Sequence, residues 1–128
     1  MSDLYQTIIL DELKAPQHKS LLAVADATVT ETNASCGDDI TVTISFDETK
    51  KIITHIGWTG NGCAISQAGM SLLSEKVIGM SREAVSELDQ RAMERLLGIE
   101  QPIAYGRVKC LLLGLKAVQR AIESSNNN

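Results

Sequence analysis

Aromatic residues are almost missing from this chain: one Trp, one Phe and two Tyr in 128 residues. Its core must therefore be assembled from Leu, Ile, Val, Ala and Met, as in a small helical or α+β domain. Long apolar runs are missing too. No stretch approaches the ~18 consecutive apolar residues of a membrane span, and acids interrupt the opening "MSDLYQTIILDELK" within each turn, so it is not a secretion signal either. The chain reads as cytoplasmic, with no membrane attachment. Lys and Arg number 12 against 16 acids, giving a net charge of −4, and they are scattered. That distribution argues against nucleic acid as a partner. Cysteine is scarce and odd in number, three in all, with no C-x-x-C pair. An odd count without a secretion signal excludes a disulfide framework, and the wide spacing matches no zinc-finger pattern. Also absent are a phosphate-binding glycine loop, an acid–base carboxylate pair and a Ser-His-Asp set, which favours a carrier or scaffold over an enzyme.

What is present is clear periodicity. The length suits a single domain over residues 1–128, large enough to bury a core without a structural metal. Leu4, Ile8, Ile9 and Leu13 recur at helical spacing behind "SD", predicting an amphipathic helix over 3–14 that stops before Pro16. "VADATVTETN" alternates loosely. "DITVTISFD" alternates cleanly, with Ile40, Val42, Ile44 and Phe46 on one face and hydroxyl residues on the other, the pattern of a half-buried strand. "KIITHIGW" adds a third strand. From Ala64 the period becomes helical: "AISQAGMSLLSEKVIG" ends at Gly79, "SREAVSELDQRAMERLLG" runs from a Ser start to a Gly98 stop, and "VKCLLLGLKAVQRAIES" forms the last helix. Residues 124–128 read as a frayed tail. The fold class is α+β, a small three-stranded antiparallel sheet packed on one face by several helices.

On this map Cys36 lies in the loop before the best strand, Cys63 at a strand-to-helix junction behind two glycines, and Cys110 at the opening of the last helix. None falls in the middle of an apolar stripe. Thiols at helix N-termini meet unpaired N–H groups and partial positive charge, which favour the thiolate, the form that acts as nucleophile and metal ligand. Asp38 follows Cys36 across a glycine and offers an oxygen donor. Inert buried thiols are the ordinary alternative for any one cysteine. His18 and His55 read as solvated or sheet-surface residues, Trp58 as a core or rim anchor, and Met70, Met80 and Met93 as helix packing.

The succession "LYQTIILDELKAPQHK", "SCGDD", "GNGCAIS" and "RVKC" before an apolar helix resembles the U-type iron–sulfur cluster assembly proteins, the IscU and NifU N-terminal-domain family, and within it the SufU branch. The resemblance covers essentially the whole chain. It implies a SufE/IscU-like α+β fold in which Cys36, Asp38, Cys63 and Cys110 meet at one exposed end. They would hold Zn²⁺ or iron in a nascent [2Fe–2S] cluster and accept persulfide sulfur from a cysteine desulfurase of the SufS or IscS type, for delivery to apo iron–sulfur acceptor proteins. Cys36 is the first candidate for sulfur acceptor and Cys110 the second. The alternative it implies is a zinc-dependent sulfurtransferase partner that activates the desulfurase without building a cluster. This chain departs from the pattern in places: Lys109 stands where IscU proteins have a histidine before the last cysteine, "EQPIAYGRVK" replaces their chaperone-binding segment, and the insertion usual in the SufU branch is missing. Lys109 and Arg107 read as charge partners for Asp38 or the thiolates.

Overall fold

In the computed structural model, residues 3–34, 37–101 and 103–126 are described. Three strands, β1 (Ala27–Asn33), β2 (Asp38–Phe46) and β3 (Ile53–Asn61), form an antiparallel meander with β2 in the centre. Five helices frame it: α1 (Asp3–Lys14), α2 (Ala64–Val77), α3 (Arg82–Ser86), α4 (Gln90–Leu97) and α5 (Tyr105–Asn126). This is the α+β architecture expected. α2 and α5 pack on one face of the sheet, α1 lies on α2, and α4 closes the far side of α2 and α5. Ile40, Val42 and Ile44 of β2 are fully buried and Phe46 nearly so, under Leu111, Leu115, Val118 and Ile122 of α5 in the same core. Where α2 and α5 cross, they approach closely because residue 114 has no side chain. A Cβ on Gly114 would stand 2.9 Å from Met70 Sδ and 3.3 Å from its Cα. Among the described residues no helix is long and apolar enough to cross a membrane.

Four local readings need correction. The inward face of α1 is Tyr5, Ile8, Ile9 and Glu12, rotated from the expected stripe, so Leu4 and Leu13 are largely exposed. Glu12 turns inward because its Oε1 accepts from the buried Ser71 hydroxyl at 2.6 Å and from the Gln17 amide at 3.1 Å. A buried hydroxyl without a partner would cost more than one apolar contact returns. The segment 81–98 is two helices instead of one. Asp89 interrupts it, its carboxylate accepting from Ala92 N at 3.0 Å and starting α4 afresh, while Ser81 caps α3 and Gly98 ends α4 in the left-handed conformation as expected. The second face of β2 is covered at Thr43, while Asp39, Thr41 and Ser45 stay part-exposed. The segment after α1 crosses Thr43 and Gly57, with Leu22 N donating to Thr43 Oγ1 and Trp58 Nε1 to Gln17 O. Lastly, of the tail expected to fray over 124–128, residues 124–126 continue as helix, with Arg82 donating to Ser125 Oγ, and the last two lie outside the described residues.

Gly114→Ala should push α2 and α5 apart and cost about 1–3 kcal/mol. Urea unfolding of the variant checks this, with a lowered midpoint and an unchanged slope as the expected result.

Candidate metal centre

The sheet register decides what meets what at one end of the molecule. β2 and β3 pair with Asp39 opposite Asn61, which sets Asp38 at the start of β2 beside Gly62, just past the end of β3. Two glycines make this approach sterically allowed. A Cβ on Gly60 would lie 2.3 Å from the Asp39 carbonyl oxygen, and one on Gly62 would lie 2.6 Å from the Asp38 carboxyl carbon. Gly62 also has φ +153°, outside the usual range for a side-chain-bearing residue. These contacts explain the two glycines ahead of Cys63: Gly60 lets β3 close on the β2 backbone, and Gly62 lets the chain pass over the buried Asp38 carboxylate. Cys63 then caps α2, and its N–H donates to Asp38 Oδ1 at 3.3 Å.

Cys110 arrives from the other side, on α5. The helix starts at Tyr105, earlier than expected, so Cys110 lies in its second turn and not at its opening. It is also only 4% exposed and part of the apolar core, contrary to its placement outside any apolar stripe. Close packing of α5 on α2 and β1 carries it inward. Asp38, Cys63 and Cys110 thereby offer three ligand atoms that all lie within 4.8 Å of one another. Cys36, the fourth residue anticipated for the cluster and the first-choice sulfur acceptor, lies outside the described residues.

This donor set fits a cation. Asp38 is 3% exposed, yet its Oδ2 is buried with no hydrogen-bond partner among the described residues. A buried carboxylate oxygen without a donor is costly unless a positive ligand compensates. Thiolate and carboxylate bonds of about 2.3 and 2.0 Å to one tetrahedral ion place donor atoms roughly 3.5–4 Å apart, a small contraction of the spacing seen. The two thiols are unlike. Cys63 is exposed, whereas Cys110 is buried with Asn33 Nδ2 donating toward its sulfur at 4.0 Å. The Ser66 hydroxyl donates to Cys63 O at 3.0 Å and sits 3.8 Å from Cys63 Sγ, within reach of an S–H donor.

Two basic residues, Arg107 and Lys109, were anticipated as charge partners for Asp38 or the thiolates. Arg107 bonds the Tyr5 hydroxyl, and among the described residues Lys109 is in no ion pair and is exposed. Burial pushes the Tyr5 phenol above its ordinary pKa, and the neighbouring Cys63 adds to this, while the Arg107 cation opposes it. Tyr5 thus ties α1 to the first turn of α5 at the edge of the site. The histidines stay away: His18 Nε2 faces Glu75 at 2.7 Å, and His55 is exposed beside Thr54. Sequence reasoning overlooked Tyr5, Asn33 and Ser66. For Ser66 there was a signal, a hydroxyl three residues past a helix-starting cysteine. Tyr5 was the lone aromatic on α1, and Asn33 carried no signal at all.

Residues 4–127 match the NifU-like N-terminal domain family. The chain belongs to that family. It is 34% identical to the iron–sulfur cluster assembly scaffold protein IscU of Streptococcus pyogenes serotype M1, over 99% of this chain and 87% of that protein. It is 27% identical to the zinc-dependent sulfurtransferase SufU of Bacillus subtilis (strain 168), over 95% of this chain and 91% of that one. Among solved structures, one from Fervidobacterium islandicum AW-1, described as an iron–sulfur cluster assembly scaffold for the SUF system, superposes with a TM-score of 0.76 at 26% identity, covering 95% of this chain and 96% of its own. Both branches named in the resemblance, IscU and SufU, are therefore represented among the family members this chain is similar to.

Gly62→Ala should displace the Asp38 carboxylate and lower affinity for Zn²⁺ about 10–100-fold, the usual scale when the support of a metal ligand is lost. Competition with a chromophoric chelator measures it.

Proposed function

We propose that this chain, acting as one cytoplasmic domain, is an iron–sulfur cluster assembly protein that binds a metal ion or nascent [2Fe–2S] cluster through Cys36, Asp38, Cys63 and Cys110 and takes sulfur from a cysteine desulfurase. The observation that carries the reading is the partnerless Asp38 Oδ2, buried beside two thiols contributed by separate elements. A soft S₃O donor set suits Zn²⁺ or iron, and zinc bound there would supply Lewis-acid charge that keeps the thiols deprotonated. Membership of a family that includes an IscU scaffold supports cluster assembly as the cargo chemistry.

The oxygen ligand matters for release. Thiolates hold a cluster tightly, whereas a single carboxylate with a hydrogen bond from Cys63 N–H is the weakest of the four and the one a recipient protein's ligand would displace. Sulfur transfer needs no outside electrons. A thiolate of this chain attacks the outer sulfur of the desulfurase persulfide, a new S–S bond forms, the old one breaks, and its electron pair leaves on the donor's cysteine as thiolate. Cys36 is our acceptor, and the burial of Cys110 supports ranking it second. Turning each transferred sulfur into cluster sulfide takes two electrons, which a thiol or electron-transfer reductant would supply, and the apo recipients then take the finished cluster.

A second reading has its own support in the similarity to a SufU sulfurtransferase: the chain holds zinc and accelerates the desulfurase without assembling a cluster. Metal and sulfide analysis separates the two. Protein purified anaerobically is incubated with a cysteine desulfurase, cysteine and ferrous iron. Iron and acid-labile sulfide rising together, then passing to an apo-acceptor, is the expected result for a scaffold. Zinc near one per chain that iron does not displace, with faster desulfurase turnover, replaces it with the second reading. Neither metal nor sulfur retained would sink both. In the scaffold case Asp38→Ala should lengthen cluster lifetime several-fold, and an unchanged release rate counts against the role given to Asp38.

A further inference from the structure

A groove of about 610 Å³ runs beside the metal centre, between the end of β1, the α3–α4 junction and the outer face of α5. Its walls include Val108, Leu112 and Leu115 of α5 with Leu88 opposite, and it reaches Asn33 and Ala34 at the site end. Most polar atoms around it are already engaged. Gln119 Nε2 donates to the carbonyls of Val85 and Leu88, Asp89 caps α4, and Gln90 bonds Glu94. Two charges are not engaged: Lys109 and Lys116 line the same groove, are exposed, and are in no ion pair among the described residues. On a chain with a net charge of −4, an apolar groove carrying two free ammoniums against the single carboxylate of Asp89, itself held by Ala92 N, is a locally positive feature.

We propose that this groove docks an acidic, apolar segment of the cysteine desulfurase, a proposal that rests on the reading of the desulfurase as sulfur donor. Two facts select this occupant. The groove ends at Ala34, two residues before Cys36, so a donor segment lying in it brings its protein to the acceptor loop. Its inner wall is Asn33, whose amide reaches the sulfur of Cys110, so occupancy is in direct contact with a residue of the metal centre. Charge complementarity sets the chemistry of the segment. Lys109 and Lys116 are seven residues apart on one helix, roughly 10 Å along its axis. Side chains on one face of an extended peptide recur every second residue, so two carboxylates four residues apart share a face about 13 Å apart, within reach of the long lysine side chains, with the same-face residue midway available to the Leu112 wall. The pattern recognised is two acids four residues apart with an apolar residue midway. Such contacts at a rim act on encounter rate and partner choice, and they weaken with salt.

Lys116 lies six residues beyond Cys110 and takes no part in the metal centre, so it is the position to change. Binding of the zinc-loaded protein to a purified cysteine desulfurase is measured by titration calorimetry at two salt concentrations, alongside zinc content and sulfur transfer. Lys116→Glu should weaken binding about tenfold and flatten its salt dependence with zinc content intact, Lys116→Arg should retain affinity, and Lys76→Glu, an equal charge change on α2, should leave it unchanged. Wild-type binding and sulfur transfer with a Lys116→Glu affinity equal to wild type overturns the groove while leaving the desulfurase reading in place. Equal losses in Lys116→Glu and Lys76→Glu also overturn it, since net charge alone would then account for the effect. A wild-type protein that neither binds the desulfurase nor takes sulfur overturns the underlying reading and the groove with it.

Discussion

The pairing of β2 with β3 is the constraint on which the rest of the site depends. Its register leaves Asp38 beside Gly62; the missing Cβ at residue 60 lets β3 close on the β2 backbone, and the one missing at residue 62 lets the chain come within contact of the carboxylate. Asp38 is then covered, one oxygen tied to the N–H of Cys63 just ahead of α2 and the other left without a donor among the described residues. A shift of one residue would turn every β2 side chain to the opposite face, exposing Ile40, Val42 and Ile44. The hydrophobic alternation of β2 and the position of the metal ligand are therefore enforced by the same hydrogen-bond ladder.

Helix packing supplies the second half. Cys63 comes to the site through the chain, directly after β3, but Cys110 comes only because α5 lies tightly on α2. That closeness depends on Gly114 beneath Met70. Two glycine-dependent approaches, one between strands and one between helices, thus converge on a volume a few ångströms across. The result is an asymmetric pair of thiols, one open at a helix start and one seated in the core. An exposed thiol can meet a partner, while a buried one anchors whatever cation is held. That division of labour supports the proposed role of holding a cluster and passing it on.

The aromatic-poor composition leaves the few aromatics with structural duties that reach the site. Trp58 is fully buried and donates to Gln17 O, holding the segment after α1 across the sheet. Tyr5 bonds Arg107 and joins α1 to α5. Anything that moves α1 is felt at the mouth of the metal centre through this contact. The positive groove on the other flank touches the centre through Asn33.

Much of this was written in local pattern. Period-2 alternation identifies β2, the glycines at 79 and 98 mark helix ends, and the order of "SCGDD", "GNGCAIS" and "RVKC" points to the family and to Asp38, Cys63 and Cys110 as companions. Those features are legible because they depend on a residue and its close neighbours. What depends on the partner surface was not. The rotation of α1 toward Tyr5 and Glu12, the break at Asp89, the burial of Thr43 and of Cys110, and the Asn33 contact to sulfur are all settled by groups distant in the chain. Local sequence determined the strands, the helix ends and the chemical identity of the ligands. Only the tertiary packing decided which thiol is open, which is closed and which carboxylate oxygen is left for a cation, because burial and hydrogen-bond partners are properties of the assembled surfaces and not of any short stretch of chain.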